Sequence, residues 1–181
     1  MKKRITAFIL AVLLAVCIMP AATVYAEEPI SMMECSISGP EGVTWTGKLP
    51  TPKLTVKYEG KTLKEGTDYK IEYEYPDNGA PGSLCYAYTV GKGKYFSDNV
   101  WSFLVLFKDV PLTHSYQEAV YWASYFKHMT GYTGSKLGYF GIRDNVTRGQ
   151  MVTVLWRYAG KPEPKVTNKQ TFKDVPVGHS F

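Results

Sequence analysis

Two thiols, Cys35 and Cys85, lie fifty residues apart beyond the first 26 positions. In a secreted chain such a pair either closes a disulfide or persists as two small buried groups. No CxxC spacing accompanies them, so a thiolate metal site is not indicated. Asp68 and Glu72 come nearest to paired carboxylates, but they fall on solvent-facing positions of a strand pattern. His114 and His179 occupy the same place in a repeated phrase, which points to packing or capping rather than catalysis. Gly91-Lys92-Gly93-Lys94 lacks the spacing and the following Ser or Thr of a phosphate loop. Asn145-Val146-Thr147 has the form of a glycosylation acceptor, although Thr147 also opens a helix. No nucleophile, base and orienting acid share a motif, and the reading is a non-enzymatic chain with no metal and no cofactor.

The elements that position these groups fall into three stretches. Residues 1–26 read as a signal peptide: Lys2-Lys3-Arg4, then the apolar run Ile5 to Ile18, then Val24-Tyr25-Ala26 as a small-residue cleavage site. Pro20 interrupts the apolar run before it reaches the length of a spanning helix. Leu14-Ala15-Val16-Cys17 has the outline of a lipobox, but Val16 stands where that motif takes Gly, Ala or Ser. Beyond residue 26 the chain holds 18 bases and 16 acids, a net +2. With no basic stripe interleaved with aromatics, nucleic acid is excluded as a partner, and no membrane association is expected once the leader is cleaved.

Residues 30–106 read as strands. Leu54 to Tyr58 and Tyr69 to Tyr75 alternate apolar and polar, and Ser83 to Val90 and Val100 to Phe107 are two further candidates. Glu59-Gly60-Lys61, Asp77-Asn78-Gly79 and Gly91-Lys92-Gly93 supply turns. Short strands at about ten-residue spacing predict a small antiparallel sandwich. After Phe107 the periodicity becomes helical. Ser115 and Glu118 have the form of a capping box, opening a helix to about His128 with Tyr116, Ala119, Val120, Ala123 and Phe126 as its apolar stripe. Thr147 and Gln150 open a second helix to about Ala159, with Met151, Val154, Leu155 and Tyr158 inward and Gly160 as its stop.

A phrase is used twice. Phe107 to Tyr116 returns 65 residues later as Phe172 to Phe181, with seven identities in ten positions, the mark of a repeated structural unit. The second copy ends where the first goes on to its helix, which reads as a longer repeat protein cut in mid-repeat.

Two resemblances follow from these residues. Thr44 to Pro52, Val56 to Tyr69 and Gly91 to Tyr95 resemble the Ig-like repeats of Gram-positive surface proteins, which implies a spacer or adhesive module over residues 30–106. Phe107, Asp109-Val110, Ala119 to Ala123, Gly131 to Gly134, Phe140, Thr147-Arg148 and Leu155 to Gly160 resemble the S-layer homology repeat. Its first copy would span residues 107–160, with a linker at 161–171 and the start of a second copy at 172–181. The fold class expected is β plus α: a small Ig-like antiparallel β-sandwich followed by a helix-loop-helix repeat.

The second resemblance implies non-covalent attachment to a secondary cell-wall polysaccharide, pyruvylated in many cases, by repeats that usually act in threes, and places the chain at the wall of a Gram-positive cell. Arg148, at the first helical position beside free backbone amides, would present a guanidinium to an anionic sugar. Trp122 or Tyr132 would offer an aromatic face, and Asp109 and Gln150 complete the candidate set. Gln150 stands where the family often has Glu, which keeps the cap and loses a charge. Asp109 could instead cap a turn, and Trp122 could belong to the core. Two alternatives stay open: an adhesin whose Ig-like face binds an extracellular ligand, and the non-catalytic part of a larger wall-associated enzyme.

Overall fold

The computed structural model describes residues 28–163 and 172–175. The leader 1–26, most of the connecting stretch 161–171, and all but the first four residues of the second phrase lie outside the described residues.

Among the described residues nine strands precede two α-helices. They are β1 (Ile30–Ser31), β2 (Ser36–Ser38), β3 (Gly42–Thr44), β4 (Thr55–Tyr58), β5 (Lys61–Thr62), β6 (Tyr69–Glu74), β7 (Leu84–Gly91), β8 (Tyr95–Phe96) and β9 (Asp98–Leu106). One sheet has the order β3-β9-β7-β6, a second β2-β4-β5, and β1 pairs with β8. Period-two burial selects the inward residues: Cys85, Ala87 and Thr89 on β7, and Phe103 and Val105 on β9. The hairpin between β4 and β5 pairs Tyr58 with Lys61 and places Glu59 and Gly60 at positive φ, as a two-residue turn of that hand requires.

The expectation of a purely antiparallel arrangement is corrected at two edges. β3 runs parallel to β9 (Val43 opposite Val105), and β1 runs parallel to β8 (Ile30 opposite Tyr95). Neither pair is joined by a hairpin. More than sixty residues separate the partners, so no tight turn fixes their direction.

Met32, Cys35, Val56 and Tyr69 form one buried cluster, and Leu54, Cys85, Ala87, Phe103 and Val105 a second. Ile37 and Ile71 pack against both, so residues from the two larger sheets close on a common interior. Each large apolar side chain buried there contributes roughly 2 kcal/mol. Both thiols are free and buried, one in each cluster. Of the two alternatives for this pair, the structure has the unpaired one. Burial pushes the Cys85 thiol up to about 11.

β9 continues without a break into the helical part. Leu106 at its end joins Phe107, Val110, Val120 and Tyr121 in a third buried cluster. The first phrase opens with a turn in which the Val110 N–H donates to the Phe107 carbonyl at 3.2 Å. In the second phrase Val175 bonds Phe172 in the same way, at 3.3 Å. The tetrapeptide therefore closes with the same hydrogen bond in two settings: Phe107 is 2% exposed and Phe172 61%.

Helix α1 spans Gln117–Tyr125, later than the sequence suggests, and its N-cap is Tyr116 with no side-chain cap bond. The expected box at Ser115 and Glu118 does not form. The chain enters through a turn in which the Tyr116 N–H donates to Nδ1 of His114 (3.2 Å) and the Gln117 N–H to the His114 carbonyl (3.0 Å). His114 thus takes the donor-pairing role that Ser115 was expected to fill. The apolar stripe is corrected as well. Val120, Tyr121 and Ser124 point inward, while Tyr116 and Phe126 are exposed. The cause is Tyr121, whose hydroxyl reaches the buried turn at Phe107 and Val110 and rotates the helix about it.

Helix α2 spans Arg148–Tyr158, and here the box at Thr147 and Gln150 is complete in both directions. Its expected inward stripe is not realised: Met151, Leu155 and Tyr158 stand exposed, and no residue of the helix is buried. The helix is tied instead by Arg157, which donates to the His128 carbonyl at 3.3 Å, and by the edge of Tyr158 against the His128 ring at 5.3 Å. No helix among the described residues is long and apolar enough to cross a membrane.

Candidate functional site

The 18 residues between His128 and Thr147 hold one short helical turn, Gly134–Lys136. Long ordered loops without regular structure are where binding residues gather. This one is fixed at its centre by Asp109. Its carboxylate accepts the backbone N–H of Phe140 (2.8 Å), Gly141 (2.8 Å) and Ile142 (3.2 Å). Burial alone would raise the Asp109 pKa, but those amides outweigh it and hold the carboxyl below the ordinary carboxylate range. A second tie closes the loop upon itself, with the Tyr132 hydroxyl donating to Asp144 at 2.5 Å. That bond, and burial after it, raise the Tyr132 pKa.

Two grooves flank this tie and share Tyr132, Gly141 and Asp144 as a common wall. The first, about 360 Å³, runs between the loop and α2, where Gln150, Thr153 and Arg157 line it. The second, about 470 Å³, is lined by Asp109, His114, Tyr132, Lys136, Tyr139 and Arg143 among others. Tyr132 stands with Phe140 in the first groove and with Tyr139 in the second, each beside hydrogen-bonding groups, a combination that suits a sugar ring with its apolar face and hydroxyl rim. Cations sit over the rings: the Lys136 ammonium is 4.8 Å from the centre of Tyr132, and that of Lys108 5.2 Å from Tyr139. No group of three or more His, Cys, Asp or Glu that could hold a metal ion occurs among the described residues.

The structure divides the sequence-derived candidates. Tyr132 lines both grooves, Gln150 the first and Asp109 the second. The Asp109 carboxylate is already taken up by three amides, so the residue latches the loop. Trp122 lines neither groove and is not in the core; it is 50% exposed, its ring beside Phe126 and His128 at 5.2 Å from each. Arg148 is exposed at the head of α2 and also lines neither groove. Cys35 and Cys85 lie in the β-sheet interior, away from both. Lys136, Tyr139, Arg143 and Asp144 did not stand out in the sequence. The signal that marks them is the loop itself, a long irregular stretch with aromatic and charged side chains at close intervals.

The site is continuous with the sheets. The Trp45 N–H donates to the Leu106 carbonyl at 3.0 Å, and the Lys108 N–H to Gly138 in the loop at 2.8 Å. The Trp45 ring lies where a side chain at Gly138 would stand, 2.6 Å from an added Cβ. Lys127, after α1, pairs with Asp77 in the turn before β7.

No curated protein and no solved structure matches this chain. The family model of the S-layer homology domain matches residues 106–152, taking in the Phe107 turn, α1, the whole groove-forming loop and the opening of α2. The chain carries an S-layer homology segment.

Proposed function

We propose that this is a secreted protein held non-covalently at the cell wall, in which the groove-bearing segment binds a wall polysaccharide and the β-sheet part acts as an Ig-like spacer. The observation that carries this reading is that the S-layer homology match contains every residue lining the second groove and all those lining the first except Thr153, Val154 and Arg157. Tyr132 and Gln150 take sugar units along the grooves, Asp109 holds the loop that presents them, and Arg148 meets an acidic group of the polymer outside them. The exposed apolar residues of α1, its C-cap Phe126 and α2, among them Trp122, Leu155 and Tyr158, form a face suited to packing against further repeats of the same kind. The Phe172 to Val175 turn, which duplicates that of Phe107 to Val110, supports the presence of such a repeat. The reading involves no catalysis.

Sedimentation with purified wall sacculi tests it. The chain lacking residues 1–26 should pellet with sacculi and stay in the supernatant once the glycopolymer is chemically stripped. Equal pelleting with and without the polymer would overturn the reading.

A further inference from the structure

We propose that Trp45 is a positioning residue of the grooves, which makes the β-sheet part a component of the binding site and not a spacer alone; this rests on the wall-polysaccharide reading. From Thr133 to Tyr139 the loop is exposed at every residue but one, Gly138, which is buried. The side chains that approach it are those of Trp45 and Lys108, and Trp45 lies outside the S-layer homology match at 106–152. Gly138 has φ +101°, and a Cβ added there would stand 2.6 Å from Cδ1 of Trp45 and 3.2 Å from Cε of Lys108. Only glycine meets both demands, a left-handed backbone and no side chain under the ring. Trp45 also packs against the interior cluster of Leu54, Cys85 and Phe103, and its N–H donates to the Leu106 carbonyl at 3.0 Å. One side chain thus joins the sheet interior to the middle of the loop.

Backbone bonds carry that hold to the groove walls. The Gly138 carbonyl accepts the Lys108 N–H at 2.8 Å, and the next residue, Tyr139, lines the second groove. The Tyr139 carbonyl accepts the Tyr132 N–H at 2.9 Å, and Tyr132 lines both grooves. Asp109 fixes the residues that follow, Phe140 to Ile142. The wall is therefore clamped at adjoining points, by Asp109 from within the family segment and by Trp45 from the sheets. Walls ordered before a ligand arrives spare it the cost of ordering them. Without the indole ring Gly138 loses its cover, and affinity drops with the fraction of time that the walls are in place.

The test compares the chain lacking residues 1–26 with Trp45→Ala, Trp45→Phe and Gly138→Ala, at a temperature where circular dichroism shows each to be folded. Binding to purified sacculi should weaken about tenfold in Trp45→Ala, as for a loop correctly placed a tenth of the time. It should recover in Trp45→Phe, which keeps a ring over Gly138. Gly138→Ala disturbs the same contact from the loop side and should weaken binding as much; it decides the matter if Trp45→Ala does not fold. In magnetic resonance spectra both alanine variants should shift the Tyr132 and Tyr139 amides, and Trp45→Phe should restore them. Parental binding by a folded alanine variant overturns the proposal, as do Tyr132 and Tyr139 amides that stay in place. If the parent chain itself fails to pellet with sacculi, the anchor reading falls, and those two amides alone decide whether Trp45 positions the loop.

Discussion

Tyr121 and Val110 are joined by a buried hydrogen bond, the phenol donating to the Val110 carbonyl at 2.6 Å, while the same oxygen accepts the Phe107 N–H at 3.1 Å. One side chain from α1 thus satisfies both ends of the turn that begins the helical segment. Tyr121→Phe keeps the ring and strips both partners of their bond inside the core. A loss of about 2–4 kcal/mol follows from two orphaned backbone groups, measured by urea denaturation. A loss below about 0.5 kcal/mol would show that the turn stands without it.

The two ends of the pH scale act on different groups. Asp109 has a depressed folded pKa, so its contribution is complete above the ordinary carboxylate pKa and disappears as pH falls through the folded value. Tyr121 and Cys85 are raised, mainly by burial, to about 12 and about 11 from 10.0 and 9.0. Their contributions are complete below about pH 9 and are lost as pH rises through 11 and 12. Melting temperature plotted against pH should form a plateau with an acid shoulder below about pH 4 and an alkaline fall from about pH 9. Asp109→Asn should remove the acid shoulder at a cost on the order of 2 kcal/mol at neutral pH.

Gly82 sits at φ +86°, before β7, and a Cβ there would meet Ser124 Oγ of α1 at 2.0 Å and Phe107 at 3.1 Å. Gly82→Ala therefore combines left-handed backbone strain with a clash at the seam between sheet and helix, a cost of about 3 kcal/mol or more. The fall in melting temperature should be accompanied by new protease cuts in α1, and a variant that melts like the parent would contradict the close approach.

Amide hydrogen exchange should separate the helices. The amides of β7 and β9, central in the larger sheet, should exchange with the free energy of global unfolding. Those of α2, which buries no side chain, should exchange through local opening, at least about a hundredfold faster. Equal protection would mean that α2 is covered in solution.

Cys35 and Cys85 should resist a thiol reagent in the native chain lacking residues 1–26, and both should react after denaturation without any reductant. No reaction after denaturation would reveal a disulfide.

The long strands were readable from alternation because each has one buried face: β4, β6, β7 and β9 fall within two residues of their expected limits. The two- and three-residue edge strands β1, β2, β3, β5 and β8 carry too few positions for a period to emerge, and the two parallel pairings depend on contacts sixty residues distant. The box at Thr147 formed because both of its bonds are local. That at Ser115 lost to His114, whose ring takes up the Tyr116 amide. Tyr132, Gln150 and Asp109 were singled out by their motif, and the folded loop puts all three on groove walls. Lys136 and Arg143 were not, because their significance comes from a groove that exists only after Asp109 has folded the loop upon itself.

The parallel pairing of β3 with β9 has a mechanical consequence. β9 leads directly to the groove-bearing segment, whereas β3 leads back toward the N-terminus. Tension applied between a tethered groove and the N-terminal end pulls these two neighbouring strands in opposite directions along their own axes. Their hydrogen bonds are then loaded together in shear rather than peeled one at a time, the geometry that yields last under force.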